Sequence, residues 1–187
     1  SIQGFVSIIM PALMGIVADR WMQAQKVLSL CHFLAGGAMI AASLYCIQAS
    51  DNVDFSTLFG LYSISVAFFM PTIALTNSVS YNALDKAGLD AVKTFPPIRV
   101  FGTVGFIVSM WIVDLSGWQT TSLQFLWSGI LSVVLALYSL TMPKCETNAN
   151  KSTGNIAQAL GLEAFKLFKN YRMALFFIFS MLLGCCL

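Results

Sequence analysis

Five apolar runs, each close to the length of a bilayer crossing, follow one another along a chain of 187 residues. They cover roughly 1–18, 27–48, 55–78, 98–115 and 120–142, and a sixth begins at Met173. A helical span needs about 20 predominantly apolar residues. In hydrocarbon, backbone N–H and C=O groups must be satisfied inside the segment or in a closed barrel. The ten-residue alternation of a barrel is missing, so the expected fold class is an all-α polytopic membrane protein. Composition agrees: 58% of residues are hydrophobic and 10% charged, against about 25% charged in soluble domains, and mean hydropathy is +0.80. So few charges could not cover a soluble surface. This excludes a cytosolic enzyme, a secreted disulfide scaffold and a disordered chain. A net charge of +2 is too small to grip nucleic acid.

The polar residues set the topology. Arg20 and Lys26 lie between spans one and two, and Lys86, Lys93 and Arg99 lie between, or at the boundary of, spans three and four. Lys144, Lys151, Lys166, Lys169 and Arg172 follow span five. The two remaining loops hold only Asp51, Asp54 and Asp114. This alternation is the positive-inside pattern with residue 1 on the outer side. The chain opens on Ser1-Ile2-Gln3, unlike a signal peptide, and stops inside an apolar run. The expectation is a piece of a longer protein with at least one helix upstream. Residues 1–142 then form helices 2–6 of an amino-terminal six-helix bundle. Residues 143–172 form a cytoplasmic inter-bundle loop, and 173–187 the start of helix 7. Within the loop, apolar Ile156, Leu160, Phe165 and Phe168 alternate with polar and charged residues over 156–168, as in an interfacial helix.

Cys31, Cys46, Cys145, Cys185 and Cys186 are odd in number and lack metal-ligand spacing, so they read as packing residues rather than disulfides or a zinc site. His32 reads as a structural residue or a proton relay. Trp111, Trp118 and Trp127 suit membrane interfaces. No motif of a membrane hydrolase or metalloprotease is present, and no enzyme is expected.

Three constellations could carry chemistry. Pro96 and Pro97 suit a first helical turn, which puts Arg99 about one turn into the fourth span. Thr103 and Phe106 follow at i+4 and i+7, so the three share a face. A guanidinium, a hydroxyl and a ring in line suit a planar polar solute that stacks and accepts hydrogen bonds. Equally, Arg99 could snorkel to the interface with Phe106 in lipid. Pro71 precedes or interrupts a polar stripe, Thr72, Thr76 and Ser80, flanked by Asn77 and Tyr81. The stripe could line an aqueous path or join helices. Gly15, Asp19 and Arg20 close the first span, where ionic contacts with neighbouring helix ends could hold one conformation, or amount to an ordinary surface pair.

The runs Met10-Pro11-Ala12-Leu13-Met14-Gly15-Ile16-Val17-Ala18-Asp19-Arg20-Trp21, Met70-Pro71-Thr72, Asn77-Ser78-Val79-Ser80-Tyr81 and Phe95-Pro96-Pro97-Ile98-Arg99 carry a resemblance. So do Gly102-Thr103-Val104-Gly105-Phe106, Gly161-Leu162-Glu163-Ala164-Phe165 and the segment 176–184. Together they resemble the bacterial nucleoside:proton symporters of the major facilitator superfamily, over essentially the whole chain. The resemblance implies twelve helices in two bundles, nucleoside uptake across the bacterial inner membrane, the proton as coupling ion, and no cofactor or metal. It assigns substrate binding to Arg99, Thr103 and Phe106 and a conformational motif to Gly15, Asp19 and Arg20; Thr72, Thr76 and Asn77 stay candidates for cavity lining from the polar stripe alone. The back of the superfamily motif is usually Gly-Arg-Arg-like but reads Met22-Gln23-Ala24 here. Partners would be the nucleoside, protons, the bilayer and a carboxy-terminal six-helix bundle, without which one bundle has nothing to rock against. Rival expectations are a carrier of a sugar or nucleobase, and a membrane scaffold that transports nothing.

Overall fold

The computed structural model describes residues 2–49 and 52–145, with Tyr171, Ala174, Leu175, Ile178 and Phe179 beyond them. The amphipathic stretch 156–168, most of the loop 143–172 and most of 173–187 lie outside the described residues. The chain divides into two compact units, Ser1–Thr147 and Asn148–Leu187. The five described residues of the second are helical.

The first unit runs α1 (Ile2–Arg20), α2 (Ala24–Ala49), α3 (Phe55–Lys86), α4 (Ala91–Leu115), a 3-10 turn (Trp118–Thr120) and α5 (Leu123–Ser139). Among the described residues, α2, α3 and α4 are long and apolar enough to cross a membrane. The helix ends differ from the apolar runs for local reasons. Polar residues after Ser78 do not stop α3. It stops at Gly88, whose φ of 70° lets the Leu89 N–H reach back to the Leu84 carbonyl at 3.0 Å, a left-handed glycine cap. Two residues on, the Asp90 carboxylate accepts the Val92 N–H at 3.0 Å and starts α4. Pro96 and Pro97 therefore lie beyond the first turn, and Arg99 about two turns in, correcting the one-turn expectation. The expected fifth span, 120–142, is trimmed at both ends to 17 residues. Gly117, at φ 68°, opens the 3-10 turn before it. After it, the Leu140 and Thr141 N–H groups bond three residues back, at 3.2 and 2.9 Å.

At the start of α3 the Asp54 carboxylate accepts the Thr57 hydroxyl at 2.8 Å and the Thr57 N–H at 3.0 Å. The Thr57 hydroxyl, the Thr57 amide and the Ser56 amide hold this carboxyl below its ordinary range. A depressed carboxyl stabilises the fold above its unfolded pKa and loses that contribution as pH falls through its folded value. Thr57→Val is expected to move the Asp54 titration back toward the ordinary carboxylate value, read by carboxyl-carbon NMR. An unmoved titration would remove the hydroxyl as the cause.

α2 is the centre of the unit, packed against α3 and α5. Its buried Val27, Leu28 and Cys31 meet Ala18 of α1, Leu75 and Val79 of α3, and Cys145. Burial pushes the Cys145 thiol above its ordinary value, against the opposing influence of Gln25 and Lys86. Cys31 and Cys145 are thus core residues, and Cys46 is half-buried; all three are unbridged. Hydroxyls join α2 to its neighbours along its length. Ser29 donates to the Ala136 carbonyl at 2.7 Å, Ser139 to the Gln25 carbonyl at 3.3 Å, Ser43 to the Ser122 carbonyl at 2.9 Å, and Ser65 to the Ala35 carbonyl at 3.0 Å. Each such bond within a membrane is worth about 0.6 kcal/mol. Where α2 meets α5, Gly36 and Gly129 bring the backbones together. A Cβ on Gly129 would lie 2.9 Å from the Gly36 carbonyl oxygen and 2.6 Å from Ile40.

Charge separates along the bundle. The Gln25 side-chain oxygen accepts the Cys145 N–H at 2.9 Å, and the Lys86 ammonium reaches the Lys144 carbonyl. These contacts gather the end of α3, the start of α2 and the chain after α5 at one basic end. At the other end, the Tyr45 hydroxyl accepts the Asp54 N–H at 3.1 Å, and Asp114 accepts from Gln119. Trp118 and Trp127 pack there with ring centroids 6.1 Å apart.

Candidate functional site

α4 stands apart from this core, with no buried residue of its own. It is held to α3 by the rings of Tyr81 and Phe95, 4.6 Å apart, and to α5 by the Trp127 indole N–H donating to the Ser109 hydroxyl at 3.2 Å. Between α4 and the other helices lies a cavity of about 780 Å³, a volume suited to a small organic solute.

The α4 face read from the sequence lines this cavity: Arg99, Gly102, Thr103 and Phe106. Helical periodicity requires the alignment, and the packing of α4 on α3 sets this face along the cavity, with Phe106 still 66% exposed. Among the described residues, neither the Arg99 guanidinium nor the Thr103 hydroxyl has a hydrogen-bond or ion-pair partner. A cation inside an apolar helix and without an intramolecular partner marks a pathway or ligand position.

α3 supplies a polar wall, with Thr72, Thr76 and Asn77 all at the cavity. Thr72 is 2% exposed and gives its hydroxyl proton to the Phe69 carbonyl at 2.6 Å, leaving only acceptor capacity. Among the described residues, the Thr76 and Asn77 side chains have no hydrogen-bond partner. α5 and the turn after it close the basic end with Leu135, Tyr138, Ser139 and Met142, and α2 brings Leu28 and His32.

Gly15 and Arg20 do not line the cavity. Gly15 and Arg20 lie at the basic end of α1; Arg20 has an interaction partner there. The Asp19 side chain is outside the described residues. Phe69 and Tyr138 join the cavity without having been singled out in the sequence. Phe69 precedes Thr72 by three residues and so shares its face, a periodic signal that was present. His32, read as structural or relay, is at the wall, with its ring edge-on to Phe69 at 6.3 Å. A second cavity, of about 580 Å³, lies toward the acidic end and shares the Phe106 ring with the first. Among the described residues no three His, Cys, Asp or Glu side chains gather as a metal site.

Residues 1–187 match the family model described as Nucleoside H+ symporter. The chain is 47% identical over 187 residues to the xanthosine permease of Escherichia coli, covering all of this chain and 43% of that protein. It is 42% identical over 181 residues to the nucleoside permease NupG of Escherichia coli, covering 97% of this chain and 42% of the permease. A crystal structure of a mutant form of the nucleoside transporter NupG aligns with a TM-score of 0.75 at 41% identity, over 97% of this chain and 44% of that one. A second NupG crystal structure aligns at 0.69 and 41% identity, over 97% and 43%. The chain spans less than half the length of these relatives.

Proposed function

The chain belongs to the nucleoside H+ symporter family, and from that premise we propose that it forms the amino-terminal part of a proton-coupled nucleoside importer of the bacterial inner membrane. In this reading residues 1–142 are helices 2–6 of the first bundle, 143–172 the inter-bundle loop and 173–187 the start of helix 7. The observation that carries it is the α4 face. Arg99, Thr103 and Phe106 look into one cavity whose facing wall offers Thr76 and Asn77.

The chemistry follows from what each group can do. Phe106 offers a ring on which a planar base stacks. Arg99 has only donors, in a rigid fork, and so takes carbonyl or hydroxyl oxygens of the solute. Thr103 and Asn77 both donate and accept. Gly15, Asp19 and Arg20 stand at a helix end where a change of contacts accompanies bundle rocking. Relatives of this family are permeases and not enzymes.

Labelled uridine uptake by cells expressing the full-length protein tests the reading. Uptake should collapse when a protonophore dissipates the gradient. Unlabelled nucleosides should compete, and uracil or ribose alone should not. Competition by ribose or uracil as strong as that by nucleosides would replace the nucleoside with the rival solute. No uptake of any of them would leave a scaffold.

A further inference from the structure

Resting on the nucleoside reading above, we infer that His32 is a specificity-determining residue that hydrogen-bonds the ribose of the bound nucleoside. Three observations converge on it. The side chain is 7% exposed, yet it lines the main cavity. Its Nδ1 is enclosed with no hydrogen-bond partner among the described residues, which leaves the unpartnered Nε2 as the nitrogen that meets the cavity. Its ring is fixed edge-on by Phe69, with centroids 6.3 Å apart and planes at 73°. A packing histidine would hydrogen-bond to a neighbouring backbone or hydroxyl, as Ser29, Ser43 and Ser65 do on the same and adjacent helices. His32 is instead held by apolar contact with its hydrogen-bonding capacity unspent inside the protein.

Depth selects the part of the solute it meets. α2 and α4 both start at the basic end and are joined through α3. His32 and Arg99 each lie about eight residues from the start of their helix, so both sit roughly 12 Å in. Phe106 lies about 10 Å further along α4 than Arg99, close to the length of a nucleoside. With the base on Phe106, the sugar reaches the level where Arg99 and His32 stand on separate walls. Arg99 only donates there. The Nε2 of a neutral imidazole donates or accepts according to its tautomer, and a hydroxyl can answer either.

The experiment compares uptake of uridine and 2′,3′-dideoxyuridine by the full-length protein with His32→Phe, His32→Gln and His32→Asn. His32→Phe should raise the KM for uridine about tenfold with little change in maximal rate. It should leave the KM for the dideoxy analogue unchanged. His32→Gln, which keeps a donor and an acceptor at similar reach, should retain most of the preference for uridine. His32→Asn, too short, should behave as the Phe variant, and the Asn and Gln pair decides the matter if the Phe variant is not recovered in the membrane. Equal changes for both nucleosides, or none, would overturn the assignment while leaving nucleoside transport standing. If the unaltered protein takes up neither nucleoside, the nucleoside reading itself fails and this assignment with it.

Discussion

Arg99→Ala is expected to cut kcat/KM for nucleoside uptake by roughly 10- to 150-fold, the equivalent of losing one charged hydrogen bond worth about 1.5–3 kcal/mol. The guanidinium lines the cavity and has no partner among the described residues, so its removal leaves nothing unpaired in the protein. Insertion should not suffer. A cation within a membrane helix carries an insertion cost, at most the roughly 2.5–3.5 kcal/mol of the helix centre on the translocon scale, and alanine removes it. Surface abundance and thermal stability of the variant should therefore match the parent, which separates a binding defect from a folding defect. Arg99→Lys keeps the charge but loses the planar fork, and should recover part of the uptake only. Uptake of Arg99→Ala at the parental rate would remove Arg99 from the site and return it to the interface.

The second large effect concerns the clamp between α2 and α5. A Cβ at position 129 would stand 2.6 Å from the Ile40 side chain, 2.9 Å from the Gly36 carbonyl oxygen and 3.1 Å from the Ile40 nitrogen. Two of these neighbours are backbone and cannot rotate away. Gly129→Ala should destabilise the bundle by about 1–3 kcal/mol, as overpacking does, and Gly129→Leu should largely prevent recovery of folded protein. Gly36→Ala should act similarly, since its Cβ would meet the Gly129 carbonyl oxygen at 2.9 Å. Gly37, the next residue, has nothing within 4 Å of its added carbon. Gly37→Ala should be neutral or stabilising by up to about 1 kcal/mol, because alanine is the better helix former. Thermal melting of the detergent-solubilised protein ranks the three alanine variants, and the yield of folded protein reads the leucine one. Equal melting of the Gly37 and Gly129 alanine variants would mean that α2 and α5 do not approach this closely.

The existence and order of the helices were legible because apolar run length and charge alternation are properties of single segments. Their ends were less so. Asn77 to Lys86 looks like the exit from a span, but a helix need not end where the membrane does, and only the left-handed Gly88 stops it. Pro96 and Pro97 suggested a helix start, whereas the Asp90 cap placed it earlier. The shared face of Arg99, Thr103 and Phe106 follows from periodicity alone. Whether that face looked at lipid or into a cavity depended on how α4 leans on α3, through Tyr81 and Phe95, and no single-helix pattern carries that. His32 shows the same limit more sharply. Alone on an apolar helix it resembled a core residue, and only the convergence of α2, α3 and α4 distinguishes the two.

The helices that form the cavity are unequally anchored. α5 is pinned to α2 by touching main chains and by hydroxyl bonds near both ends. A tilt of α4 would chiefly strain one ring pair and one indole contact. The wall that carries the cation is thus the compliant one, while the wall that carries the imidazole is stiff. A solute that bridges them would draw the soft wall toward the hard one, so the guest itself would set the width of its own compartment.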